Sequence, residues 1–515
     1  MNGKRFGLYR TALFLMIACV FFLRTTSFAT AAEGAPEKTL RFVTVFPANT
    51  TDPHRCHTAF ILNSGVFETL VGLDARTLEL YPWLAESWGT EDGQNWTFKI
   101  REGVKYHSGR LLTPESVKAN LERLIGANPG LKTALKIESI AVEGQNVRIR
   151  TETPYPALVS GLVHFNVVMM DLETPDDAPP AGTGSFKFVR FDPTATAELV
   201  RFEDYWGEKA RIDRVFMTAN QDANARLLTL QAGDADVIYR PALESLASLR
   251  KDDKFVVESM KGTRVYHLLY NYVGKNKDLW DNASFRKGID ALVDREGIIA
   301  TVMGGEAALA FNPFPGDYPF SPKSAPHPYS LEAAEKHFEA AGLKKEKGKY
   351  TLDGKPLKLR IATYIARPEL PQIAQVVQDA ARRAGLDMEI YVAENIDEFL
   401  PMGDWDLATY SLLTISRGDG AFFLNGAFVP NGAQNHGRLN DPKLNTLLEE
   451  FNRTTDIARR NTLALQAAQY IEDNAYNCYI TVPYETAAYR KGVSGWVTPP
   501  NEFEFQMITN VLDVE

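Results

Sequence analysis

Two histidines three residues apart, His54 and His57, sit in Asp52-Pro53-His54-Arg55-Cys56-His57 with a cysteine between them. Imidazole and thiolate suit transition metals, and on an extended loop two histidines at this spacing can approach one ion. The proline ahead of them favours a loop, where a solvent-exposed pair is the alternative. A second candidate is Arg417 in Ser416-Arg417-Gly418-Asp419-Gly420, just beyond a strand ending near Tyr410. Open α/β sheets bind ligands off the carboxyl ends of their strands. A guanidinium there can grip a carboxylate through two hydrogen bonds, or it can pair with a loop acid. Tyr364 and Arg367 fall at the end of another candidate strand and, with Tyr410, are possible cleft contributors; packing explains the tyrosines equally well.

Catalytic patterns are missing. There is no glycine-rich phosphate loop followed by Lys-Ser or Lys-Thr, no Gly-x-Ser-x-Gly elbow and no His-Glu-x-x-His pair. Gly182-Thr183-Gly184 lacks the third glycine of a dinucleotide fingerprint and reads as a tight turn. Asp404 and Asp406 alternate onto one face of a strand, usually the wet face. No nucleophile has a base in reach, so a binding protein is expected rather than an enzyme.

These residues need a frame to position them. Leu40 to Val45 has the β-branched content of a buried strand, and a helix is expected over 59–70. Trp88, Trp96, Phe98 and Ile100 around Glu91-Asp92-Gly93 read as a hairpin, and Thr113-Pro114-Glu115 opens a helix with a cap and an N-terminal proline. Strand 212–218, helix 220–232 with Gly233 as its stop, and strand 235–239 form a parallel crossover unit. The pattern repeats as strand 357–364, helix 369–384 and strand 388–392, with 405–410 as the next strand. The fold class is therefore α/β, in two units.

The chain has 515 residues, 45% hydrophobic and 23% charged, which is ordinary for globular proteins. Lys4, Arg5 and Arg10 precede an apolar run from Thr11 to Leu23, and Ala29-Thr30-Ala31 follows; residues 1–32 read as an export signal, too short to span a membrane. A lipid anchor at Cys19 is the rival reading. Removing those residues takes four of 56 basic and none of 65 acidic residues, leaving −13, which disfavours nucleic acid and anionic membranes as partners. Cys56 and Cys478 remain, and one bridge between them would be optional in so large a chain.

Spaced motifs then carry a family resemblance. Tyr81-Pro82-Trp83-Leu84-Ala85-Glu86-Ser87-Trp88, Trp96-Thr97-Phe98, Arg101 through Gly109, Gly182 through Phe188, Asp204-Tyr205-Trp206-Gly207, Ala232-Gly233-Asp234-Ala235-Asp236 and Leu292-Val293-Asp294-Arg295 occur in this order. Together they resemble the peptide- and nickel-binding class of extracytoplasmic solute-binding proteins, family 5, the receptors of ABC importers. The resemblance implies a two-lobed periplasmic-binding-protein fold (class II, cluster C) with an extra domain inserted in the first lobe. The boundaries expected are lobe I at 33–70, 180–265 and 485–515, the insertion at 71–179, and lobe II at 266–484. It further implies a periplasmic monomer that holds a small cargo in the cleft and passes it to a permease, with no intrinsic cofactor. The stretch from Ile480 to Phe505 is similar to that of nickel and metallophore receptors, which favours a nickel chelate as cargo over the alternative, a di- or oligopeptide. His436, in Gln434-Asn435-His436-Gly437, lies about where nickel receptors place their direct ligand, and His54 and His57 resemble a mobile histidine prong. For peptides, Asp419 and Arg417 would meet the two termini. The tryptophans and arginine that face the chelator in the nickel pattern are absent; Lys132-Thr133-Ala134, Phe165-Asn166-Val167 and Thr414-Ile415-Ser416 stand there instead.

Overall fold

A computed structural model describes residues 37–515 apart from 176 and 195, so the expected export signal lies outside the described residues. The strand Thr39–Thr44 runs parallel to Arg214–Ala219 on one side and to Val237–Tyr239 on the other. The helix Ala223–Ala232 links those two neighbours. Asp222 caps it by accepting the Asn224 and Ala225 N–H groups, and Gly233 ends it at φ +82°, a left-handed turn that favours glycine.

The second α/β unit repeats the plan. Lys358–Tyr364 pairs in parallel with both Asp387–Ala393 and Leu407–Leu413, and the helix Glu369–Ala384 forms the crossover. Its buried stripe of Leu370, Ile373, Ala374, Val377 and Ala381 follows the 3.6-residue period, and each large aliphatic side chain so covered contributes about 1.5–3 kcal/mol.

One strand joins the units. Cys478–Arg490 spans 13 residues; its first part pairs with Arg264–Tyr270 and Ala307–Leu309, and its second with Val237–Tyr239 and Phe255–Lys261. The result is one twelve-stranded sheet among the described residues. A separate antiparallel sheet, Ala85–Thr90, Asn95–Ile100, Asn146–Thr151 and Ile137–Glu143, packs with the helices Pro114–Ala127 and Pro129–Leu135. Thr113 caps the first of these helices, with Pro114 as its first residue.

The chain departs from expectation at three places. The helix predicted over 59–70 is a single turn, Phe60–Asn63. Gly65 breaks it at φ +71°, and Val66, Phe67 and Leu70 are wholly buried, so the apolar run is covered on all sides without being helical. The strand predicted from Trp405 begins at Leu407; Trp405 is instead buried, with its indole N–H donated to the Leu400 carbonyl at 2.8 Å. Asp406 is buried, accepting from the Asn276 amide and the Arg360 backbone, while Asp404 is exposed, so the two do not share a wet face. Cys56 and Cys478 are free and lie in different hydrophobic cores. Among the described residues no helix is long and apolar enough to cross a membrane.

Candidate functional site

Where the two α/β units meet, five charged side chains converge. Arg240 follows the strand Val237–Tyr239, Arg264 begins Arg264–Tyr270, and Arg367 lies three residues past Tyr364. Glu485 sits in the joining strand, and Glu502 comes from the C-terminal segment. The Arg240 guanidinium spans both carboxylates, at 2.6 Å from Glu485 and 2.9 Å from Glu502. Arg367 and Arg264 reach Glu502 at 3.6 and 3.8 Å. Burial alone would raise the Glu502 carboxyl, but the three guanidiniums hold it well below the usual carboxylate range. For Arg264 burial wins, with Arg367 adding repulsion, and its pKa falls. Its Nε is buried without an acceptor, which marks an under-compensated charge. Cavities of about 590 and 240 Å³ flank the cluster, sharing Val45, Phe46, Arg240 and Arg367 as walls.

From these strand ends a polar line runs into the second unit. Arg264 donates to Ser411 Oγ at 3.1 Å, and the Tyr364 and Tyr410 rings lie 6.1 Å apart. The Tyr410 hydroxyl donates to Asp397 Oδ1. His436 Nε2 is 3.2 Å from that hydroxyl and 3.6 Å from the same carboxylate. Tyr410 has one proton and gives it to Asp397, so Nε2 of His436 must carry the hydrogen of this contact. That assignment leaves Nδ1 as the lone-pair nitrogen. Burial lowers the His436 pKa despite Asp397, which favours the neutral form that binds metals.

Arg417 and Asp419 lie on a different wall. Arg417 adopts φ +61° and Gly418 φ +68°; a Cβ on Gly418 would stand 2.2 Å from the Leu78 carbonyl oxygen, so only glycine fits. Arg417 Nε is 3.5 Å from Glu504, which also accepts from Ser416 Oγ at 2.9 Å, and its guanidinium lies 4.9 Å from the Phe422 ring centre. Burial lowers the Arg417 pKa and raises that of Glu504. Arg417 thus makes the loop-acid pair held open as its alternative. Both Asp419 oxygens are 3.3 Å from Arg460, and one caps the Ala421 N–H, which commits them to the fold. A cavity of about 440 Å³ opens here, lined by Lys136, Tyr155, Arg417 and Phe422 among others.

The predicted site residues therefore divide. Tyr364, Arg367, Tyr410 and His436 share one region, and Arg417 and Asp419 another. The paired histidine prong is corrected. His54 is wholly buried, its Nε2 3.0 Å from the Val168 carbonyl and its Nδ1 2.8 Å from Arg123, which also clamps Asp52. Both ring nitrogens are engaged, leaving no lone pair for an ion, and burial lowers its pKa to about 4. His57 turns outward and lines the 240 Å³ cavity beside Arg367 and Glu502. Among the described residues no three His, Cys, Asp or Glu side chains gather so as to hold a metal. Reading the sequence missed Arg240, Arg264, Glu485 and Glu502. A charged residue beside a strand reads as solvated unless its partner, here 238 to 262 positions away, is known.

Comparison with known proteins agrees with this architecture. The profile of the bacterial extracellular solute-binding proteins, family 5 Middle, matches residues 79–435. The crystal structure of a nickel ABC transporter from Bacillus halodurans is 38% identical, superposes with a TM-score of 0.83, and aligns over 93% of this chain and all of that one. NikA from Staphylococcus aureus in complex with Ni(L-His)2 is 27% identical with a TM-score of 0.76, over the same shares. The dipeptide-binding protein of Escherichia coli is 25% identical over 84% of this chain and 87% of its own.

Proposed function

Because this chain belongs to the bacterial extracellular solute-binding proteins of family 5, we propose that it is a periplasmic receptor. It holds a nickel or other transition-metal chelate between its lobes and delivers it, unaltered, to the permease of an ABC importer. It acts as a monomer and is not an enzyme. The observation that carries the cargo assignment is His436: a neutral imidazole, oriented by Tyr410 and Asp397, with one nitrogen left for a ligand. One imidazole fills one coordination position, so the cargo must bring its remaining donors. Arg367 and Arg264 line the 590 Å³ cavity and offer guanidiniums to the carboxylates of such a chelator. The nickel-named relative at 38% identity favours this cargo over the peptide of the more distant relative. Binding and release both require lobe states balanced within a few kcal/mol.

Calorimetric titration of chelator-stripped protein separates the cargoes. Nickel with L-histidine should release heat saturably while a dipeptide library does not. Heat from peptides alone would transfer the assignment to a di- or oligopeptide receptor.

A further inference from the structure

Two turns meet where the four-stranded sheet faces the second α/β unit. The first, over 74–79, closes the hairpin Val71–Leu73 and Leu80–Pro82, which leads into that sheet. Asp74 accepts the Arg76 and Thr77 backbone N–H groups on its side chain and that of Leu78 on its carbonyl, and Leu78 ends the turn at φ +58°. The second turn runs from Ser416 to Asp419, with both central residues, Arg417 and Gly418, left-handed. Each turn thus holds one residue with a Cβ in a conformation that glycine usually takes. Such outliers persist where their surroundings impose them, and here the two turns impose on each other. The Leu78 carbonyl packs so closely on Gly418 that a Cβ there would stand 2.2 Å from its oxygen and 3.4 Å from Leu73 Cδ1. The Leu78 side chain is buried.

A second contact of this kind joins the same two bodies. Gly93, at φ +70° in the turn between Ala85–Thr90 and Asn95–Ile100, faces Thr455, in the link between the helices Pro442–Arg453 and Ile457–Asp473. A Cβ on Gly93 would lie 2.5 Å from Thr455 Cγ2. The 440 Å³ cavity opens between these bodies, with Lys136 and Tyr155 on one wall and Arg417, Phe422 and Asn452 on the other. Among the described residues no hydrogen bond or ion pair joins the 74–79 turn to the 416–420 loop. The turns can therefore part without stranding a buried polar group. A contact that is close in shape yet free of polar ties suits surfaces that meet and separate, as in domain closure.

We propose that the four-stranded sheet and its hairpin are a clasp that holds the second unit shut over this cavity, with Leu78 on Gly418 as the main closing contact and Gly93 on Thr455 as the other. The clasp works through shape, so it stands whatever the cargo is, and its strength sets how often the cavity opens.

Pulsed electron-spin distance measurement tests it, with labels on Glu143→Cys in the four-stranded sheet and Glu449→Cys in the helix Pro442–Arg453. Both positions are exposed, whereas Cys56 and Cys478 are buried from the label. In chelator-stripped protein with no other change, the short, closed distance should dominate. Gly418→Ala should cut the ratio of closed to open at least fivefold, and Leu78→Ala and Gly93→Ala should each cut it severalfold, with circular dichroism confirming that every variant is folded. Gly354→Ala is the control: at φ +74° with nothing within 4 Å of an added Cβ, it meets the same backbone penalty in open space and should leave the distances unchanged. A distance distribution that Gly418→Ala and Leu78→Ala leave unmoved, one that Gly354→Ala moves as far, or a long distance alone in the protein without these substitutions overturns the proposal.

Discussion

His54 and His436 are both loop imidazoles beside an aspartate, yet they have opposite fates. His54 is sealed beneath Asn166 and Val168, gives one nitrogen to a carbonyl and receives Arg123 on the other. His436 spends a single nitrogen on Tyr410 and Asp397. The difference lies in the neighbours. Arg123 comes from the helix Pro114–Ala127 and pins Asp52 as well as His54, so the loop that resembles a mobile prong is tied to the helix beside the separate four-stranded sheet. Asp397, by contrast, is largely exposed, and among the described residues no hydrogen bond holds the His436 ring from the other side. Availability of a lone pair, rather than the spacing of histidines, separates a structural imidazole from a candidate ligand.

Removing His54 should break the comparison most strongly. His54→Ala strands the Val168 carbonyl and unseats Arg123, a loss of about 3–4 kcal/mol in unfolding free energy. Nickel–histidine affinity of the molecules that remain folded should not change. Denaturant unfolding with a parallel titration checks both; a stable variant that fails to bind would return His54 to the metal site.

Proton linkage gives the next largest effect. The folded pKa of His54 lies near 4, below the 6.5 of an unfolded histidine. Its contribution is therefore fully present above pH 6.5 and is lost as pH falls toward 4, by about 3 kcal/mol in all. His327 works in the opposite sense. Hydrogen bonding first to Asp290 and then to Glu472 raises it to about 9, so its contribution is intact below pH 6.5 and disappears as pH rises through 9. Unfolding curves between pH 4 and 10 should show the acid limb flatten in His54→Ala and the alkaline limb flatten in His327→Gln.

His436→Ala should reverse the pattern of His54→Ala. Stability should change by less than about 1 kcal/mol, since the ring is only partly buried and its hydrogen-bonding partner Asp397 is largely exposed. Nickel–histidine binding should weaken at least tenfold, about 1.4 kcal/mol. Unchanged affinity in calorimetry would move the metal contact away from His436.

Legibility in the sequence followed the range of the forces involved. Thr113-Pro114, Gly233 and the apolar stripe of Glu369–Ala384 act within one turn or one helix, and each lies where local rules put it. The helix expected over 59–70 failed because burial on all sides erases the periodicity that distinguishes helix from coil. The charged cluster was invisible for a different reason. Arg240 meets Glu485 and Glu502 from 245 and 262 positions away, and no local pattern announces a partner so remote. Arg417 was legible as a strand-end guanidinium, but its pairing with Glu504 depends on the C-terminal segment returning across the sheet.

Tyr410→Phe should give the smallest effect and the sharpest reading of His436. The ring remains to pack against Tyr364 and His436, so stability should fall by no more than about 1 kcal/mol, the net worth of one hydrogen bond. Without the hydroxyl, His436 Nε2 keeps only Asp397, now 3.6 Å away, and the imidazole loses its fixed tautomer. Nickel–histidine affinity should then drop a few-fold, less than for His436→Ala, because the donor survives and only its orientation is relaxed. Asp397→Asn should behave similarly, since a neutral amide holds Nε2–H less strongly than a carboxylate does. If the Tyr410 and Asp397 variants bind as well as the unmodified protein while His436→Ala does not, the imidazole meets its cargo without their help, and the tautomer assigned to it is wrong.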